Sequence, residues 1–358
     1  MSEESKSHFS GRGANFNPKN KFDKHTYLNE EQDGVDVPQY ESNTTKYIEI
    51  FPKTIVNKVT SSDVGMDYSL NPYQGCEHGC TYCYARPTHE YWGYSAGMDF
   101  EKVILVKKNA PELLRQTLQN KKWEVKPIIL SGNTDCYQPC EKEFQITRQL
   151  LEIFLEFRHP VGIITKNALM NRDLDIIEEL SKLKLISVNL SITTLNEGLR
   201  RKLEPRTATS HRKLDLIEKL VKIDVPVNVM AAPIIPALND HEIISIAQAV
   251  SELGANTFHA HVVRLMGPNE QIFSAWVERY FPDRKDKVLN QLKEIHSGRT
   301  GSSNFGSRMK GDGTYALNIR RQLKLAKHKY FPNPKRTSLR KDLFRRPSTD
   351  GQLDLFDI

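Results

Sequence analysis

No run of about 18 apolar residues occurs in the 358-residue chain, which excludes a bilayer-spanning helix. The opening stretch, MSEESKSHFSGRGANFNPKNKFDK, lacks an apolar core and is not expected to act as a secretory signal. Cysteine is scarce: five residues, an odd count, which in a chain without an export signal argues against a disulfide framework. A cytoplasmic, reducing setting and thiolates used for chemistry are expected instead. At 38% hydrophobic and 27% charged, the composition is that of a soluble globular protein able to bury a sizeable core.

Acidic residues are short at one end. From Lys310 to Arg346 twelve Lys or Arg stand against two acids, and since the whole chain carries +7, the remainder is slightly acidic. A basic segment of this kind is the usual footprint of an anionic partner, most often nucleic acid. The plain alternative is a solvated tail.

Residues 1–45, poor in aliphatics, read as a flexible N-terminal extension, loose or draped on the surface. Beyond them short apolar runs alternate with helical patterns, as in βαβ units. The expected strands are SLNPYQG before the first cysteines, KPIILSG (126–132), PVGIITK (160–166), KLISVNLSIT (184–193), VPVNVMAAPI (225–234) and TFHAHVVRL (257–265). Between them FQITRQLLEIFLEF sets Leu150, Leu151, Phe154 and Phe157 on one helical stripe, and Gly254 follows the last helix as a C-cap would. Six such units predict an α/β fold, a partial (βα)6 TIM-like barrel over 46–266, with an open doubly wound sheet as the alternative. A C-terminal helical extension (267–332) and a basic flexible tail (333–358) complete the domain plan. In either architecture the chemistry belongs at the carboxyl ends of the strands.

Directly after the first strand comes GCEHGCTYCYARPTHEYWG, with Cys76, Cys80 and Cys83 spaced C-x3-C-x2-C. Three readings fit. A zinc site needs a fourth ligand, which His78 or His89 can supply. An electron carrier normally presents four cysteines per cluster. A four-iron cluster on three cysteines leaves one iron open for a substrate, and an open position distinguishes catalytic metal sites.

These residues resemble the signature of the radical S-adenosylmethionine (SAM) superfamily, including the aromatic Tyr82 before the last cysteine. NPYQGCEHGCTYCYARPTHEY, GNTDCYQPCE, TKNALMNRDLD, SITTL, LEPRTAT and APIIPALND, in that order, resemble a branch of it distantly similar to spore photoproduct lyase, a DNA-repair enzyme. The resemblance covers roughly residues 65–330. It implies that Cys76, Cys80 and Cys83 ligate a [4Fe–4S] cluster whose open iron binds SAM, and that a 5′-deoxyadenosyl radical takes a hydrogen atom from substrate. It also implies an electron donor such as flavodoxin or ferredoxin.

The resemblance places further residues. Asn133, Thr134 and Asp135 fall where the superfamily contacts the SAM amino group, although the chain reads SGNTD here and not the commoner Gly-Gly-Glu. Lys166 and Ser191 match positions that contact SAM in the lyase group, with Lys166 suited to a carboxylate; Arg206 offers a fork for the same carboxylate. Ala231, Ala232 and Pro233 fall where the adenine packs. Cys136 is a candidate hydrogen-atom donor, although the lyase thiol precedes the Ser/Thr-Asp pair and Cys136 follows it; a packing residue under the rim, with Cys140, is the other reading. Tyr84 is a candidate radical relay, or with Tyr82 a shield for the cluster. His259 and His261 share one face of a strand, for packing, substrate hydrogen bonds or a metal.

The last specific signal is QLDLF, Gln352 to Phe356, which resembles the pentapeptide that docks bacterial replication and repair proteins on the DNA polymerase sliding clamp. Leu355 and Phe356 would fill one apolar pocket and Gln352 a second. The alternative is that this end folds back on the chain's own surface. The expected activity is radical SAM chemistry on nucleic acid, in DNA repair or base modification. A peptide or small-metabolite substrate, and a non-catalytic metal-stabilised binding module, are the competing readings.

Overall fold

The computed structural model describes residues 11–23, 44–61, 63–302, 308–309, 311–334 and 338–347. Its strands are β1 (Lys46–Ile50), β2 (Val56–Lys58), β3 (Tyr68–Leu70), β4 (Tyr73–Gln74), β5 (Val103–Lys107), β6 (Ile128–Leu130), β7 (Val161–Thr165), β8 (Ile186–Ser191), β9 (Val227–Ile234) and β10 (Thr257–Val262). Seven form one sheet in the order β10-β9-β8-β7-β6-β3-β2. Strands β3, β6, β7, β8, β9 and β10 run parallel, and β2 is antiparallel to β3.

The parallel strands follow one another in chain order, with no point at which the winding reverses. That decides against a doubly wound sheet and for a barrel wound in one direction. Among the described residues the sheet ends at β10 and β2, so the barrel is partial. Beside the β2 edge, Arg308 pairs with Asp63 of the loop between β2 and β3.

Burial alternates along the strands, as a period of two requires. On β8 Ile186, Val188 and Leu190 are buried while Ser187 and Asn189 are half-exposed; on β9 Val227, Val229 and Ala231 are buried while Asn228, Met230 and Ala232 are half-exposed. The buried set shares one core with the outer helices, where Leu150, Leu151, Phe154 and Phe157 have no exposed surface. Gly254 follows the helix Ile243–Glu252 with φ +88°, the left-handed cap that glycine adopts without cost.

The expected strand SLNPYQG is two strands. Pro72 has no N–H to donate and restricts Asn71, so the chain turns there. β3 joins the main sheet, while β4 leaves to pair antiparallel with β5, which also pairs parallel with β1. The small β1-β5-β4 sheet delivers the chain to the cysteines.

The described parts of the N-terminal extension and of the basic tail, 11–23 and 338–347, are fastened to the body. In 11–23, Gly13 N and Ala14 N donate to the Glu101 carboxylate at 2.9 and 2.8 Å, and Arg12 Nη1 donates to the Glu101 carbonyl at 2.7 Å. In 338–347, Arg340 N donates to the Lys184 carbonyl and Arg345 N to that of Phe157, both at 3.0 Å. Phe344 packs its ring 5.6 Å from that of His159. Those partners precede β7 and β8, so this segment covers the amino ends of the strands, opposite the cysteines. The C-terminal helices Pro268–Tyr280, Lys285–Ile295 and Gly313–Tyr330 stand where the sequence pattern put them. Gln352–Phe356 lie outside the described residues.

Candidate functional site

The loop from Gly75 to Cys83 follows β4 and is fastened at almost every residue. Gly75 and Gly79 take φ of +82° and +67°, and a β-carbon on Gly75 would stand 2.6 Å from the Val103 carbonyl oxygen. Cys76 N donates to the Phe100 carbonyl at 2.8 Å, and Glu77 N to Gln138 Oε1 at 2.9 Å. Gln138 Nε2 donates back to the Gly75 carbonyl at 3.1 Å. From the other side Arg86, fully buried, donates Nε to the Cys80 carbonyl at 2.9 Å and pairs with Glu101. The Glu101 carboxylate is the one that holds Gly13 and Ala14, so one buried anion fastens both the N-terminal segment and the cysteine loop.

Cys76 and Cys80 are buried, Cys83 is half-buried, and all three thiols are free. Burial pushes each thiol's pKa up, and the other cysteines push those of Cys76 and Cys80 further. Among the described residues no three His, Cys, Asp or Glu side chains form the ligand set of a single metal ion. His78 lies inside the loop with Nδ1 3.4 Å from Asp135 and Nε2 3.2 Å from the Asn167 amide. His89 is buried against Tyr94 and Phe100, and its pKa falls to about 4 through burial. His78 thus has a polar partner at both ring nitrogens, whereas both nitrogens of His89 are buried without a hydrogen-bond partner among the described residues.

The ends of the parallel strands meet this loop. The Asp135 carboxylate accepts from Thr165 Oγ1 and Lys166 N, both at 2.8 Å, and from Tyr137 N at 2.9 Å. Lys166 Nζ lies 6.0 Å from the centre of the Tyr82 ring. Tyr82 is buried and its hydroxyl donates to Glu204, which also accepts from Thr193 Oγ1 at 2.5 Å and pairs with Lys213 at 3.4 Å. Burial of Glu204 opposes its charge, but Lys213, Lys166 and the two hydroxyls outweigh it and hold its pKa at about 2.

The description "Radical SAM superfamily" matches residues 70–250 of this chain. The chain belongs to the radical SAM superfamily. An uncharacterized protein of Mycobacterium tuberculosis is 31% identical over 268 residues, 73% of this chain and 76% of that one. An uncharacterized protein of Methanocaldococcus jannaschii is 29% identical, covering 63% and 81%. Among solved structures, spore photoproduct lyase complexed with dinucleoside spore photoproduct superposes with a TM-score of 0.58 over 80% of each chain, at 15% identity. That likeness is one of fold.

Membership of the radical SAM superfamily implies SAM and an iron–sulfur cluster, and the cysteine loop fits the latter. Three free thiols on a fastened loop, two of them buried and one half-buried, suit a cluster held by three cysteines that keeps one position open. Of the residues expected around SAM, Lys166, Ser191 and Asn133 stand at strand ends; Ser191 is buried and Asn133 is half-exposed beside Gln74 and Thr88. Asp135 is occupied in tying β6 to β7, a positioning role. Arg206 has Nη1 on Glu77 at 3.0 Å and its N–H on the His78 carbonyl, so it braces the loop. Cys136 has no exposed surface and lies in the main core with Tyr137 and Cys140, as the packing reading requires. Tyr84 is 57% exposed, with its hydroxyl on the Gly132 carbonyl at 2.7 Å, at the open mouth.

Arg86, Glu101, Gln138, Glu204 and Lys213 escaped the sequence reading. For Lys213 there was a signal: in HRKLDLIEKLVKI it falls on the stripe of Leu216, Ile217 and Leu220, the buried face of the helix Ser210–Lys222.

Proposed function

We propose that this chain is an enzyme in which Cys76, Cys80 and Cys83 hold a [4Fe–4S] cluster, Lys166 and Ser191 help seat SAM, and the substrate is a nucleic acid, in DNA repair or base modification. The observation that carries the catalytic part is the fastened loop of three free thiols at the carboxyl end of a barrel wound in one direction. Bound there, cluster and cofactor supply a radical able to take a hydrogen atom from an unactivated carbon. The chain's own residues keep Cys76 and Cys80 buried, offer the Lys166 ammonium beside the Tyr82 ring as a partner for a carboxylate, and hold Tyr82 through Glu204 and Lys213. Tyr84, at the mouth, is the residue best placed to meet a substrate. The nucleic-acid part rests on the basic C-terminal region and the clamp-like QLDLF, together with the fold shared with a DNA-lesion enzyme. A cytoplasmic location, an electron donor such as flavodoxin or ferredoxin, and a sliding clamp bound through Gln352–Phe356 complete the proposal.

The test is anaerobic reconstitution, followed by electron paramagnetic resonance of the reduced protein with and without SAM, with 5′-deoxyadenosine assayed alongside. A reduced-cluster signal that changes on adding SAM, with deoxyadenosine formed, is the expected result. Bound zinc, or a cluster indifferent to SAM, would reduce the three cysteines to a structural role and favour a binding module.

A further inference from the structure

Next to the mouth, on the side of the last cysteine, lies a groove of about 470 Å³ that the chemistry above does not use. Lys19, Lys21, Pro87, Met266 and Pro268 are among its lining residues. Pro87 stands four residues beyond Cys83, and Asn269, adjoining Pro268, donates its amide to the Cys83 carbonyl at 2.8 Å. The groove is thus continuous with the loop that carries the cluster ligands. Beside the lining residue Lys21 two aromatic residues are exposed, Phe22 by 51% and Tyr91 by 70%, and Trp92, next to Tyr91 in the chain, is exposed by 46%. The Phe22 and Tyr91 rings lie 5.0 Å apart but are inclined at 45°, so they do not stack flat on each other. Lys21 Nζ lies 4.9 and 5.0 Å from their centres. Glu90, the acid in the lining, is buried and 3.7 Å from Lys21, whereas Lys19 and Lys21 are exposed.

Exposed apolar rings gathered in one place on a polar surface mark an interaction site. Exposed ring faces interleaved with lysines are what a single strand of nucleic acid needs: π-faces for its bases and cations for its phosphates. In a duplex the bases are already stacked, and an enzyme acting on a base inside a barrel must first take that base out of the helix. We propose that this groove is a track for single-stranded nucleic acid flanking the target nucleotide, with Tyr91, Phe22 and Trp92 as stacking positions and Lys19 and Lys21 as phosphate contacts. The inference rests on the nucleic-acid reading above and adds where the strand runs.

The experiment measures anisotropy of a short fluorescein-labelled thymidine oligonucleotide titrated with the full chain over a salt series. Variants are Tyr91→Ala, Trp92→Ala and Lys21→Ala, with Phe51→Ala as an exposed control. Tyr91→Ala and Trp92→Ala should each weaken binding about tenfold, within the range for one lost stacking contact. Lys21→Ala should lower the salt dependence by roughly 0.7 in log–log slope, the share of one single-strand phosphate contact. Quenching of the exposed Trp92 by unlabelled oligonucleotide is a second readout, because Trp276 is buried and Trp123 is half-buried. Tight, salt-dependent binding that no groove variant alters would overturn the track and leave the nucleic-acid reading standing. No binding by the unaltered chain would remove that reading itself. Variants that bind the oligonucleotide normally but are reduced more slowly by a flavodoxin would assign the groove to the electron donor, which also overturns the track.

Discussion

At His159 two hydrogen bonds agree on one tautomer. Nδ1 faces the Pro160 carbonyl at 3.0 Å and donates to it, while Nε2 accepts from Trp123 Nε1 at 3.1 Å. Burial lowers its pKa to about 4, against the Pro160 bond that raises it, so the folded ring stays neutral where the unfolded one, near pH 6.5, is protonated. A group with a depressed folded pKa of this kind contributes stability above about pH 6.5 that is lost as the pH falls toward 4. Urea unfolding should lose up to about 3 kcal/mol from this residue across that window. His159→Phe should flatten the pH dependence by about one proton while costing about 1–3 kcal/mol at pH 7, because Trp123 loses its acceptor. An unchanged slope in that variant would mean that other groups carry the acid sensitivity.

The cysteine loop is fastened from several sides, and one of its fasteners, Arg86, ends on the Glu101 carboxylate that also holds Gly13 and Ala14. Arg86→Met leaves that carboxylate buried without its main partner and should destabilise the protein by about 3–5 kcal/mol. Gly13→Ala probes the same junction from the outside: its β-carbon would fall 1.7 Å from the Gly79 carbonyl oxygen, so the N-terminal segment or the loop has to move. A cost of about 1–3 kcal/mol is expected, as for other overpacked sites, along with less iron retained per chain after reconstitution. Full iron loading in both variants would show that the loop holds its shape without them. This junction also marks where the sequence stopped being readable. The six barrel strands were legible because apolar runs and helical stripes are local signals, and the cysteine spacing is local too. That one carboxylate at 101 gathers residues 13, 14 and 86 is a tertiary fact with no periodicity to betray it. Likewise Asp135 and Arg206 look like open ligands in the sequence, because their partners Thr165 and Glu77 come from other segments. Strand β5, in VILVKK, was missed since its partners β1 and β4 are short and its run is brief.

At the scale of the whole molecule, the segment 338–347 is part of the body. Phe344→Ala should lower stability by about 1–2 kcal/mol in urea unfolding, through loss of its packing on Phe157 and His159. If QLDLF docks on a sliding clamp, removing 348–358, or Leu355→Ala with Phe356→Ala, should abolish capture by an immobilised clamp without affecting oligonucleotide binding. Loss of both together would tie the tail to nucleic acid instead. The position of the anchor has a geometric consequence. Residues 338–347 are moored on the floor of the barrel and the cysteines are at its ceiling. Eight residues lie between Pro347 and Phe356, so no more than about 32 Å of chain separates that floor from the last residue of QLDLF. A partner gripping QLDLF would therefore be kept near the floor, on the side of the barrel away from the catalyst.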